Sequence, residues 1–141
     1  MTDLVRQLKQ RDAALRACRV VFHQRGFIEV ETPMLTAAPG PEPHIDPLEV
    51  AVRSAPDGGP TSRWLHTSPE IALKRVLAAI ARVGDQGKVF QLARVFRDGE
   101  CGPLHRPEFT MLEWYRAPGT LDELIDDCAA LGGAIGEALG V

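Results

Sequence analysis

Residues 94–116 read RVFRDGECGPLHRPEFTMLEWYR, and their reading decides the fold. Two runs rich in β-branched and aromatic residues, KVFQLARVFR (88–97) and EFTMLEWY (108–115), flank a loop (98–106) that holds Gly99, Gly102 and Pro103. That pattern predicts a long β-hairpin. Side chains alternate between faces along a strand. Gln91, Ala93, Val95 and Arg97 therefore share one face of the first strand, and Phe109, Met111, Glu113 and Tyr115 share one face of the second. One hairpin face then offers a guanidinium, a ring, a carboxylate and a phenol. A flat ring beside Arg and His suits base stacking and phosphate neutralisation. The same alternation also suits plain core packing, with Phe109 and Met111 inward and Arg97 paired to Glu113. At this point both readings stand.

Upstream of the hairpin, Ser68-Pro69 predicts the start of a second helix, with serine as N-cap and proline in the first turn. Leu73, Val76, Leu77 and Ile80 form its apolar stripe and Gly84 closes it. Residues 48–53 (LEVAVR) alternate as a strand, 54–62 (SAPDGGPTS) read as a turn, and 63–66 (RWLH) as the returning strand. Five residues, Pro39, Gly40, Pro41, Pro43 and Pro47, make 36–47 an irregular connector. Before it, FIEVE (27–31) alternates as a strand that Pro33 stops. Residues 3–25 predict a first helix, with Leu4, Leu8, Leu15, Cys18 and Phe22 on one stripe and Gly26 just past its end. A last helix starts from a Thr120 cap and presents Leu121, Leu124, Ile125, Cys128, Leu131, Ile135 and Leu139. Strands run together with helices at both ends and between, so the expected class is α+β with an antiparallel sheet flanked by helices.

The 141 residues fit one domain, 1–141. Sixteen Lys and Arg against nineteen Asp and Glu leave a formal charge of −3, which argues against a whole-chain electrostatic fit to nucleic acid. Hydrophobic residues at 45% and charged residues at 25% are globular values. No apolar run approaches the ~18 residues of a membrane helix, and no signal-peptide core follows Met1. Cys18, Cys101 and Cys128 are scattered, with no CxxC or Cys/His cluster, so no disulfide framework or metal site is expected. The expected location is the cytoplasm. No phosphate loop of the Walker type, no GxSxG and no HExxH occurs.

Two shorter stretches join the hairpin as candidates. In LHTSPE (65–70), Ser68 and Glu70 can be no more than a helix cap and a first-turn acid, or they can hold a substrate ammonium at the helix entrance. RGFIEVETPML (25–35) alone is a helix stop and a strand. Taken in order, the three stretches resemble the class II aminoacyl-tRNA synthetase catalytic domain. The particular likeness is to the lysyl-tRNA synthetase-like ligases that modify elongation factor P. GFIEVETP (26–33, within 25–35) resembles motif 1, which contributes to a dimer interface in that family. LHTSPE resembles the amino-acid-binding segment, and 94–115, with the string PEFTMLEWY (107–115), resembles motif 2.

The resemblance implies ATP-dependent activation of lysine or β-lysine as an aminoacyl-adenylate, then transfer to a lysine of elongation factor P. It implies a homodimer that uses ATP and Mg2+. It implies that Arg97 clamps the α-phosphate and the attacking carboxylate, that Phe109 stacks on adenine, and that His105 lies near the triphosphate. Ser68, Pro69, Glu70, Glu113 and Tyr115 take the substrate positions, Glu70 pairing an ammonium and Tyr115 being a phenol characteristic of the elongation-factor branch. Only 25 residues precede Gly26, too few for an anticodon-binding domain, so tRNA anticodon binding is not expected.

Some positions depart from the family. The Arg-x-Glu of motif 2 is here Arg97-Asp98-Gly99-Glu100, so either Glu100 or Asp98 takes the adenine amino group. Arg106 replaces an asparagine that contacts nucleotide, and Pro103 stands where related loops carry a basic residue. The later magnesium-binding carboxylates and the glycine-rich motif 3 do not occur in residues 1–141. The expectation is therefore a partial catalytic domain, inactive alone, with the magnesium ligands in the missing C-terminal part. Alternatives are a truncated dimerisation or nucleotide-binding module, and a fragment of a lysyl-tRNA synthetase.

Overall fold

The computed structural model describes residues 3–53 and 59–141. In chain order the elements are α1 (Asp3–Gln24), β1 (Ile28–Glu29), β2 (Leu35–Thr36), β3 (Glu49–Arg53), β4 (Pro60–Leu65), α2 (Glu70–Arg82), β5 (Gly87–Phe96), β6 (Glu108–Ala117) and α3 (Leu121–Leu139). The class is α+β, as expected. The single antiparallel sheet is not found. The described strands form two three-stranded sheets, β1-β5-β6 and β2-β4-β3. In the first, β1 runs parallel to β5, so that sheet is mixed. A short strand reached by a long crossover can align either way, and composition does not choose.

The expected hairpin is β5–β6, antiparallel and in the register that pairs Gln91 with Glu113, Ala93 with Met111 and Val95 with Phe109. Its two faces differ. On one, Phe90 and Trp114 pair across the strands and meet Phe22 of α1 and Phe27. Phe22 stacks on Phe90 at 4.8 Å, meets Phe27 edge-on at 5.0 Å and lies 5.3 Å from Trp114. Leu112 of β6 and Leu131 of α3 complete this core. Buried rings dominate such a core because each removes a large apolar area from water. The other face receives α2. Leu77 packs so closely on Gly87 that a β-carbon there would overlap it, and Leu73 is fully buried.

The helices correct several expectations. In α1 only Cys18, Val21 and Phe22 are buried, whereas Leu4 and Leu8 are exposed, so the stripe serves the core only in its last two turns. Gly26 follows with φ 79°, a left-handed end that glycine adopts without strain. In α2 the N-cap is Pro69, and Ser68 lies one residue earlier; its hydroxyl still accepts from the Glu70 amide at 3.0 Å. In α3 the Thr120 cap is present with a full capping box to Glu123. Only the later part of its expected apolar face turns inward, with Leu131 on the core and Ile135 and Leu139 half-buried. Leu121, Leu124, Ile125 and Cys128 are exposed, and the buried residue is Asp127. Asp127 pairs with Arg25 beyond α1 and with Arg116 of β6, and those charges set the rotation of the helix.

The connector 36–47 is less irregular than expected. Thr36 belongs to β2, and Asp46 makes a bridge to Asp98. The returning strand begins at Pro60, earlier than 63. The turn expected over 54–62 falls largely on residues outside those described.

Candidate active site

Two physical devices bring the candidate residues together. The hairpin fixes Arg97, Phe109, Glu113 and Tyr115 at one side. A backbone bond from Phe96 N–H to the His66 carbonyl (3.1 Å), with His66 Nε2 donating to the Arg94 carbonyl (2.7 Å), holds segment 66–70 against the end of β5. That carbonyl can only accept, so Nε2 carries the proton. Segment 66–70 then delivers Ser68 to Glu113. The Ser68 hydroxyl donates to Glu113 Oε1 at 2.7 Å, and Tyr115 OH donates to Glu113 Oε2 at 3.1 Å. Both oxygens of this half-buried carboxylate are engaged. Lys74 of α2 pairs with Glu70 and stands 5.8 Å from the Tyr115 ring centre. The Tyr115 phenol is pushed above its ordinary range, first by burial, then by the charge of Glu113 and its hydrogen bond, then by Glu70. It therefore stays a proton donor at neutral pH.

Arg97 does not pair with Glu113. Its guanidinium lies 5.2 Å from the centre of the Phe109 ring, donates from Nε to the Thr67 carbonyl at 3.3 Å, and faces Glu100 at 3.5 Å. An arginine stacked on a ring and held by one carbonyl keeps donors for an incoming oxyanion. Glu100, displaced by one place relative to the family pattern, is thus near the guanidinium it would accompany. Asp98 is exposed. Its side chain accepts from Gly99 N–H at 2.9 Å, and its own amide donates to the Asp46 carbonyl at 2.7 Å. His105 is exposed on the loop. Arg106 turns back on that loop and donates to the carbonyls of Gly102 and His105.

A cleft of about 230 Å³ opens beside segment 66–70. Ser68 and Glu70 line it, together with His66, Thr67, Arg75 and the connector residues Gly40 and Glu42. Arg97, Phe109, Glu113 and Tyr115 are not on its wall; Arg97 bonds Thr67 and Glu113 bonds Ser68 from behind it. Sequence reasoning missed Glu42, Thr67 and Arg75. Pro41 and Pro43 on either side marked Glu42 as loop, and nothing local signals that the loop folds back on a helix start. It also missed the Arg25–Asp127–Arg116 set on the opposite face. Among the described residues no group of three or more His, Cys, Asp or Glu side chains is placed to hold a metal ion. No helix of the described chain is long and apolar enough to cross a membrane.

The sequence model of the family described as tRNA synthetases class II (D, K and N) matches residues 2–131. Among curated proteins, the elongation factor P--(R)-beta-lysine ligase of Pseudoalteromonas translucida (strain TAC 125) is 44% identical over 112 residues, which is 79% of this chain and 33% of that protein. The protein of the same name from Vibrio cholerae is 38% identical over 130 residues, 92% of this chain and 39% of its own. The one from Mannheimia succiniciproducens is 38% identical over 123 residues, 87% of this chain and 36% of its own. The chain thus spans about a third of the length of the curated relatives it matches.

Proposed function

This chain belongs to the family of class II tRNA synthetases (D, K and N), and from that premise we propose that it is the ATP- and amino-acid-binding part of a ligase. The full-length protein activates lysine or β-lysine and passes it to a lysine of elongation factor P. The observation that carries this reading is the Arg97 guanidinium stacked on Phe109 and tied to Thr67 on the cleft wall. In the first step a carboxylate oxygen attacks the α-phosphorus and the bond to pyrophosphate breaks. Two anions must approach, and a planar guanidinium can bind oxygens of both as charge develops. Phe109 offers its free ring edge and face to adenine. Asp98, Glu100, His105 and Arg106 form the loop beside the nucleotide, with Glu100 or Asp98 accepting from the adenine amino group. In the second step the acceptor lysine nitrogen attacks the acyl carbon and AMP leaves.

Ser68, Pro69, Glu70, Glu113 and Tyr115 form the amino-acid subsite. Glu113, itself held by the Tyr115 hydroxyl, keeps the Ser68 hydroxyl in place, and Glu70 exchanges part of its pairing with Lys74 for a substrate ammonium. Mg2+ would neutralise phosphate charge in such a reaction. The described residues do not converge on a cation site, so no step is assigned to it here. Exposed Ile28, Met34 and Leu35 in the motif 1 segment are consistent with its use as a homodimer contact.

The test is lysine-dependent exchange of pyrophosphate into ATP by the full-length protein. Arg97→Ala is expected to lower the rate by about 10²–10³-fold, the usual loss of one transition-state donor. A near-normal rate in that variant overturns the role of Arg97. No exchange in the unmodified protein favours the binding-module alternative.

A further inference from the structure

His66 is 6% exposed, and three strands meet at it. It follows directly on β4, its amide donates to the Met34 carbonyl just before β2 at 2.8 Å, and its carbonyl accepts from Phe96 N–H of β5 at 3.1 Å. Its ring adds a side-chain bond, from Nε2 to the Arg94 carbonyl of β5 at 2.7 Å. β1 pairs only with Val89 and Phe90 of β5, so His66 takes up backbone groups of that strand beyond the reach of β1. The two groups flank Val95, and Phe96 is the neighbour of Arg97. The backbone bond at Phe96 fixes where segment 66–70 touches β5. The ring bond at Arg94, two residues back, fixes the direction in which the segment leaves the strand. That direction matters because the next two residues carry the site: the Thr67 carbonyl accepts from Arg97 Nε at 3.3 Å, and the Ser68 hydroxyl donates to Glu113.

We propose that His66 is a positioning residue for the adenylation step, its ring holding the Thr67 carbonyl where that carbonyl aims the Arg97 guanidinium. The inference rests on the proposed role of Arg97 in that step. The ring acts through Thr67 and Arg97 and touches no reacting atom itself. A misplacement on the order of 1 Å that arises away from the chemistry can cost ~10²-fold in rate. Glutamine carries an amide nitrogen that can donate to the same carbonyl. Leucine fills comparable space and donates nothing.

The experiment is lysine-dependent pyrophosphate exchange by the full-length protein and its His66→Leu, His66→Gln, Arg97→Ala and combined His66→Leu/Arg97→Ala variants. His66→Leu is expected to lower kcat and kcat/KM alike by about 10- to 100-fold, the pattern of an interaction made in the transition state. His66→Gln is expected to recover most of that rate. The combined variant is expected to be no slower than Arg97→Ala, because the two residues act as one unit. A His66→Leu variant at the unmodified rate, a His66→Gln variant as slow as His66→Leu, or a combined loss equal to the product of the single losses overturns the role of His66 and leaves Arg97 standing. The donor is also read without relying on the leucine variant. Nitrogen-15 NMR of the unmodified protein, with the His66 signal assigned by its loss in His66→Gln, is expected to show a ring protonated at Nε2. A ring protonated only at Nδ1 overturns the proposal. A near-normal rate in Arg97→Ala, or no exchange in the unmodified protein, overturns the reading of the site and this inference with it.

Discussion

Asp127→Asn tests how the helical layer is fastened to the hairpin. Asp127 is 0% exposed and lies between Arg25, 31% exposed, and Arg116, 8% exposed. Arg116 Nε faces Asp127 Oδ2 at 3.2 Å as an ion pair without the alignment of a hydrogen bond, and Arg116 also reaches Glu123 at 2.6 Å. Lys88 and Arg116 stand 5.9 Å and 5.5 Å from the Phe27 ring centre, so cations crowd this corner. Removing one partner of a buried pair costs about 3–5 kcal/mol because the other charge is stranded. Two features lower that figure here: Arg116 retains Glu123, and Arg25 can reach water. The expected loss is about 2–4 kcal/mol, or roughly 6–16 °C in Tm for a chain of this size. Urea unfolding followed by tryptophan fluorescence measures it, since Trp114 packs against Phe22 in the core. Exposed Asp126→Asn on the next residue is the control, expected within about 0.5 kcal/mol. Replacing all three charges by apolar residues of similar volume (Arg25→Met, Arg116→Met, Asp127→Leu) is expected to recover most of the loss. A single-variant loss no larger than that of Asp126→Asn, or a triple variant as weak as the single, refutes the account.

Tyr115 is the single tyrosine, so an absorbance titration reads it without ambiguity. Its folded pKa is raised above the ordinary 10.0, so its contribution to stability is full below pH 10 and is lost as pH rises through the folded value. The expected tyrosinate step comes above pH 10, and Glu113→Gln moves it down while burial keeps it above the ordinary value; a step at 10 in the native protein contradicts the burial and the Glu113 contact. Cysteine reactivity gives a third check. Cys101 and Cys128 are exposed while Cys18 is buried, with its thiol pushed up by that burial, so a thiol reagent is expected to titrate two cysteines in the native protein and three after unfolding. A third fast thiol would mean that α1 opens at Cys18.

What was legible depended on whether the deciding interactions were local. Period-two alternation in residues 88–97 and 108–115 reports the hairpin and which residues share a face of each strand, because strand geometry forces the alternation, while the register between the strands came from the structure. Thr120 with Glu123 three residues on reports its own cap. Asp127 is the opposite case. It sits in the middle of an apolar stripe, and its partners are 102 residues earlier in Arg25 and 11 residues earlier in Arg116. Those partners lie under the helix at Asp127, which is buried while Leu124 and Ile125 are exposed. Glu42 was illegible for a related reason. Proline spacing tells that a segment is not regular structure, and it carries no information about which surface the segment lies on. The hairpin candidates Arg97 and Phe109 came together through strand register, and the same register rules out the alternative pairing of Arg97 with Glu113, because Glu113 lies opposite Gln91, six residues along β5 from Arg97.

The two faces of one hairpin explain why the candidate site can be polar without costing the fold its core. The packed aromatic rings are concentrated on the face of Phe90 and Trp114, whereas the other face sets the polar Gln91, Glu113 and Tyr115 among buried Val89, Ala93 and Val95, so its polar groups must be satisfied one by one. Two segments satisfy them. Gln91, buried, accepts from the Thr32 hydroxyl at 2.9 Å, Glu113 accepts from Ser68, and Arg97 donates to Thr67. Satisfying buried polar atoms on a strand therefore places the segments that bear them. Thr32 anchors the chain ahead of β2 and of the 36–47 connector that carries Glu42, and Ser68 anchors the start of α2. A cleft bounded by those two anchored segments has its width set by the hairpin, so a change at Gln91 or Glu113 reaches the cleft without lining it.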